Sequence, residues 1–150
     1  MSSTLALLLE HAERQRDAAR AAVQQAEGGC NRALVQLEQL RAYQGDYRAR
    51  APGTAGLAAP IELLRCHQGF MGRLDQALLH QHQAVKDAEA ELLRRRELLR
   101  QAEQKLASTR KLVDRREAER KRFAQRAEQR ASDESALQRH RRGGVFGDTR

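Results

Sequence analysis

Tryptophan is absent from this 150-residue chain, aromatic residues make up only 3% of it, and the two prolines, Pro52 and Pro60, lie in one short stretch. Without large rings a thick globular core cannot be filled, which excludes most pocket-bearing enzyme folds. Cysteine is scarce as well. Cys30 and Cys66 form no metal or redox spacing and are expected to stay reduced in the cytosol. The N-terminal apolar run, Leu5 to Leu9, is too short to span a membrane, lacks a basic start and leads into Glu10 and Glu13, so a cytosolic protein is expected.

What the chain does contain is Ala, Leu, Glu, Gln and Arg in a seven-residue rhythm. Counting in sevens from Leu64 gives Met71, Leu78, Val85, Leu92, Leu99, Leu106 and Val113, all apolar. An earlier stripe passes through Leu5, Ala12, Ala19, Ala26, Ala33, Leu40 and Tyr47, with Leu9, Val23, Cys30 and Leu37 at companion positions. Between the stripes, residues 51–60 hold both prolines together with Gly53, Thr54 and Gly56, and cannot continue a helix. The expected fold is all-α: one domain, 1–150, with a helix over 4–50, a linker over 51–60, a helix over 61–142 and a flexible tail over 143–150. Pro60 suits the start of the second helix, Glu62 its first turn, and Gly143 with Gly144 its end. At 1.5 Å per residue the helices would measure about 70 Å and about 120 Å.

A ten-residue linker most simply folds two such helices into an antiparallel coiled-coil hairpin. Tyr47 would lie opposite Leu64, Cys30 opposite about residue 81, far from Cys66, and Leu5 opposite about residue 106. That register leaves Ala107 to Arg142 without an internal partner, projecting beyond the first helix. Such a segment should fray alone and order on a partner, because helix stability comes mainly from packing. Alanine-rich layers bury little each, so modest stability is expected.

Charge is uneven along the chain. The net +8 falls entirely in residues 91–150, which carry eighteen basic and ten acidic groups, while residues 1–50 and 51–90 sum to +1 and −1. Such an excess suits an acidic partner surface, although interspersed acids also fit a solvated helix face. Gly28 and Gly29 weaken the first helix by about 1 kcal/mol each relative to alanine and mark a slight bend or a hinge. His80 and His82 point to different sides of a helix, and His11, His67 and His140 are isolated, so no metal site is expected. Neither a phosphate loop, a nucleophile with a base, nor a paired-carboxylate pocket can be assembled, and no enzyme activity or cofactor is expected. Phe70, between Gly69 and Gly72, begins a row with Leu74, Ala77 and Gln81. Leu74 falls on the seam, while Phe70 and Ala77 are displaced from it and expected to turn partly outward, for a partner or for packing near the hairpin tip.

The run Cys30-x-x-Ala33-x-x-Gln36-Leu37-x-x-Leu40-x-x-Tyr43-Gln44-x-x-Tyr47-Arg48, the row Phe70-x-x-x-Leu74-x-x-Ala77, and Glu128 followed by Asp133-Glu134 together resemble the FliJ family. These are small soluble components of the bacterial flagellar type III export apparatus, and the likeness covers about residues 4–142. The resemblance implies an antiparallel two-helix coiled coil similar to the stalk of the F-type ATPase gamma subunit. It also implies insertion into the hexameric export ATPase FliI, contact with the export gate protein FlhA, and escort of export chaperones at the inner face of the membrane. Phe70, Leu74, Ala77 and Gln81 would form the gate contact, Gln81 standing where the family carries a histidine. Arg115, Arg116, Arg120, Arg122, Phe123 and Arg126 would meet the ATPase ring. Competing expectations are the stalk of a virulence-type secretion ATPase, a homodimeric coiled-coil scaffold, and an arginine-rich nucleic-acid-binding helix. The last is disfavoured by Glu117, Glu119, Glu128, Asp133 and Glu134 among the arginines and by the lack of an aromatic stacking platform.

Overall fold

A computed structural model describes residues 3–53 and 60–145, with two helices, α1 (Ser3–Ala49) and α2 (Ile61–Val145), and no strand among the described residues. The end of α1 tightens. The Arg50 amide donates to the carbonyls of Asp46 and Tyr47, both at 3.2 Å, and the Ala51 amide to that of Arg48 at 3.2 Å. Gly53 follows with φ of 88°, a left-handed conformation that glycine adopts without a Cβ clash. α2 opens after Pro60, whose carbonyl accepts from the Leu64 amide at 3.2 Å, and Glu62 sits in its first turn against the positive end of the helix dipole. Of the linker expected at 51–60, residues 54–59 lie outside the described residues.

The expected stop at Gly143 is corrected: α2 continues through Gly143 and Gly144 to Val145. Glycine ends a helix by turning left-handed, and Gly53 is the one described residue with positive φ. Of the tail, residues 146–150 lie outside the described residues. Gly28 and Gly29 are likewise helical within α1.

The chain divides into two compact units, Gln15–Glu103 and Met1–Arg14 with Gln104–Arg150. In the first, α1 and α2 run antiparallel as a hairpin. Gln44 reaches Asp75, Gln81 reaches the Ala33 carbonyl at 2.9 Å, and Arg96 meets Glu27 at 3.5 Å, so residue numbers rise on one helix as they fall on the other. Its core is a cluster of Ala33, Leu37 and Val85 with Leu78 and Ala88 packed against it; Val23, Cys30 and Leu74 are buried as well. Further along this unit, no α2 residue after Val85 is fully buried. There Ala22 and Ala26 of α1 leave an open cleft edged by Gln25, Glu91 and Arg95, the consequence of pairing alanines with a helix whose leucines alone cannot fill the layer.

The helix register differs from the expected one. Tyr47 packs on His67 and Phe70 rather than on Leu64, which is 37% exposed, and Gln81 bonds at Ala33 rather than facing Cys30. A heptad stripe looks alike after a slide of one repeat, so periodicity alone does not choose between neighbouring registers. The aromatic rings and the Gln81 carboxamide make that choice.

In the second unit, Leu5 and Ala12 of α1 and Leu106 and Val113 of α2 are buried, and Arg110 meets Glu13 at 3.8 Å. The shifted register therefore moves the start of the unpartnered segment. Leu106 and Val113 are covered, Glu117 is half-buried, and only from Ala118 through Gly144 is every residue exposed. The extension of α2 begins about eleven residues later than the Ala107 expected from sequence.

Candidate partner-binding surfaces

On the hairpin of Gln15–Glu103, Tyr43, Tyr47, His67 and Phe70 form one aromatic group. The ring centroids of Tyr47 and Phe70 lie 4.5 Å apart, those of Tyr43 and Phe70 6.3 Å edge to face, and the Tyr47 and His67 rings stack at 4.8 Å with an interplanar angle of 5°. His67 Nε2 donates to the Tyr47 carbonyl at 3.1 Å, near the end of α1 where such carbonyls lack helical partners. The Arg73 guanidinium lies 5.9 Å from the Phe70 centroid, on its π face.

The row Phe70, Leu74, Ala77 and Gln81 is turned toward α1. Leu74 is buried, Phe70 and Ala77 are half-buried, and Gln81 donates both to the Ala33 carbonyl and to Gln36 Oε1 at 3.2 Å. The register shift brings Phe70 against Tyr43 and Tyr47, so its ring packs near the hairpin tip, while Phe70 and Ala77 both remain half-buried. What reaches solvent here is a groove lined by Gln36, Gln39, Leu40 and Tyr43 of α1 together with Gln81, with Tyr43 52% exposed. The groove lining carries no formal charge, so its polar recognition rests on carboxamides. Those α1 residues were not singled out as a site in the sequence. Their signal was the Gln36, Leu40, Tyr43 spacing, which reads as an outer helix flank only once the register is known.

In the unit of Met1–Arg14 and Gln104–Arg150, Arg115, Arg116, Arg120, Arg122, Phe123 and Arg126 are all exposed, Phe123 at 75%. Phe123, Arg126, Ala127 and Arg130 share one helix flank and line a shallow cleft. Arg120 meets Glu117 one turn back at 3.4 Å, so it is already partly neutralised. Residues 118–144 hold eight basic and four acidic side chains, which leaves this exposed helix with a net positive field.

The remaining candidate groups have ordinary roles. Arg41 Nη2 donates to His82 Nε2 at 3.4 Å, His80 is exposed, and no group of three metal-ligating side chains gathers among the described residues. Cys30 is buried and Cys66 exposed, both free. The Arg100 guanidinium hydrogen-bonds Glu97 and holds that carboxyl below its usual range, while Arg100 is raised in turn. Among the described residues no helix is long and apolar enough to cross a membrane.

A helical hairpin with an uncharged groove on one unit and a bare basic helix on the other defines a protein of the partner-binding class, one that displays side chains along helix faces. Its family is shown by comparison. The chain belongs to the family described as flagellar FliJ protein, whose model matches residues 1–144. It is therefore a component of the flagellar protein export apparatus, in a family of non-catalytic components. A comparison with curated proteins gives no match.

Proposed function

We propose that this protein is the central stalk of the hexameric export ATPase, with the extension of α2 entering the ring. The observation that carries this reading is the extension itself: from Ala118 to Gly144 every side chain is exposed, including Phe123 and Leu137, on a helix with a basic excess. A helix of this length is poorly supported alone in water, and ring subunits would supply the surface that α1 does not reach. In this reading Arg115, Arg116, Arg120, Arg122 and Arg126 face acidic groups of the ATPase, and Phe123 enters an apolar recess. The experiment is ATP hydrolysis by the cognate hexamer with the full chain and with these five arginines reversed to glutamate. Stimulation by the wild type and its loss in the variant support the reading; equal stimulation by both overturns it.

The hairpin groove is the better location for the export gate. Gln36, Leu40, Tyr43 and Gln81 reach solvent where Phe70 and Leu74 hold the two helices together, so the gate contact divides into exposed recognition residues and a supporting aromatic group. Escort of export chaperones and a peripheral position at the cytoplasmic face of the membrane complete the proposed role. Coiled-coil packing of α1 on α2 within the hairpin is the arrangement that fits the heptad stripe.

A further inference from the structure

Arg16 and Arg95 stand where a heptad seam carries apolar residues, and neither belongs to the surfaces above. Arg16 continues the α1 stripe of Val23, Cys30 and Leu37, all buried, one repeat further back, and Arg95 follows half-buried Ala88 by one repeat on α2. The Arg16 side chain is only 21% exposed, and its Nε donates to Asp17 at 2.8 Å. Arg95 donates to Glu91 at 2.7 Å and lines the open cleft beside Ala22 and Ala26. We infer that these two seam arginines lock the register of the Gln15–Glu103 hairpin, by repelling each other in the slid arrangement that the apolar stripes would otherwise permit. The lock concerns this unit alone and holds whatever partner the protein meets.

The layers show which arrangement that is. Ala33 packs with Val85, so steps of one repeat put Ala26 level with Leu92, and the heptad places Val23 level with Arg95 and Arg16 with Ala102. The cleft agrees, since it brings Arg95 beside Ala22 and Ala26. With α1 slid by one repeat toward the start of α2, Ala33 would face Leu78, Leu37 would face Leu74 instead of Gln81, and Val23 would face Ala88 instead of Arg95. Apolar burial does not oppose this slide, and two layers gain by it. The opposite slide carries Phe70 and Leu74 past Ala49, the end of α1, and loses the aromatic group together with a buried layer.

Charge opposes the first slide. It sets Arg16 opposite Arg95, and Glu27 trades Arg96, now 3.5 Å away, for Glu89. Arg16 is mostly covered, so its repulsion acts through a less polar medium than that of an exposed pair. Asp17 and Glu91 offset part of it, but Glu91 is shared with Arg94. Arg41 would exchange His82 for Asp75, an exposed pair that compensates little. The Gln81 and Tyr47 contacts hold the observed register by attraction, and the arginines exclude its competitor, as polar seam residues do in other coiled coils.

The test places spin labels at the exposed positions Gln24 and Gln68 of the full chain carrying Cys30→Ala and Cys66→Ser, and reads their separation by double electron–electron resonance. Along the helix axis the labelled positions lie about 39 Å apart in the observed register and about 29 Å apart in the slid one. The parent chain should give the longer distance alone. Arg95→Glu turns the repulsion into an attraction and should add a population about 10 Å shorter, with Arg95→Gln adding a smaller one. Arg16→Glu combined with Arg95→Glu restores like charges and should remove that population. Circular dichroism checks helix content throughout, and Arg95→Gln carries the test should Arg95→Glu lose helix. A shorter distance already present in the parent, its absence from both single variants, or its persistence in the double variant overturns the lock.

Discussion

Individual residues hold this protein together weakly, and the exceptions are easy to name. Leu37 packs with Ala33 and Val85 in the hairpin core. Leu37→Ala should cost about 2–4 kcal/mol, seen as a lower midpoint in thermal or urea unfolding. Gly28 presents the opposite case. A Cβ added there meets only the end of the flexible Arg32 side chain at 3.4 Å, and the residue is helical, so Gly28→Ala should stabilise by about 1 kcal/mol. If that variant also loses function in motile cells, the glycine serves as a hinge rather than a tolerated weak point. Glu97 gives a pH dependence with a defined sign. Its folded-state carboxyl is held low by the Arg100 hydrogen bond, so the pair adds stability at neutral pH that disappears as pH falls through the carboxylate range. Glu97→Gln should lower the melting temperature slightly at pH 7, and the gap to the wild type should close toward pH 3. Both groups are exposed, so the gap should also shrink in salt.

At the scale of elements, α2 is longer than the surface α1 covers, and the boundary decides where truncation becomes harmless. Ending the chain after Glu117 removes, among the described residues, only exposed positions, whereas ending it after Lys105 removes buried Leu106 and Val113. The first truncation should keep the wild-type melting temperature, and the second should lower it and fray the start of α1, visible as faster amide hydrogen exchange over residues 5–12. The element boundaries themselves were largely legible. Pro52, Pro60 and the two stripes place α1 and α2 within a few residues of Ser3–Ala49 and Ile61–Val145. The exception was the end of α2, where Gly143 and Gly144 signal a stop that local helical bonding overrides. The candidate site was legible only in part. Phe70 and Leu74 stand out by spacing, but Gln39 and Tyr43 become groove residues only through the register, because nothing local distinguishes them from a solvated flank.

For the molecule as a whole, composition excluded more than it specified. A chain with 3% aromatics and 32% charged residues displays surfaces rather than enclosing a cavity, and membership of the flagellar FliJ protein family places it in the export apparatus. The two proposed surfaces differ in charge, which gives a test on the intact protein. Binding through the arginine-bordered extension should weaken as salt rises from about 50 to about 300 mM, since the Debye length falls below 10 Å over that range. Binding through the uncharged Gln36, Gln39, Leu40, Tyr43 and Gln81 groove should change little. Equal salt dependence for the ATPase and for the gate protein would show that the two do not use separate surfaces.

The sequence by itself determined the helices, the break between them and the stripe each one buries, because helix propensity, proline punctuation and seven-residue periodicity act within a few residues along the chain. Tertiary structure alone decided the register, and with it the packing of Phe70 on Tyr43 and Tyr47 and the start of the extension at Ala118 instead of Ala107. The physical reason is that a heptad stripe slid by one repeat buries nearly the same surface. The choice falls to a few contacts between residues twenty to fifty positions apart: Tyr47 on His67 and Phe70, and the Gln81 carboxamide on Ala33.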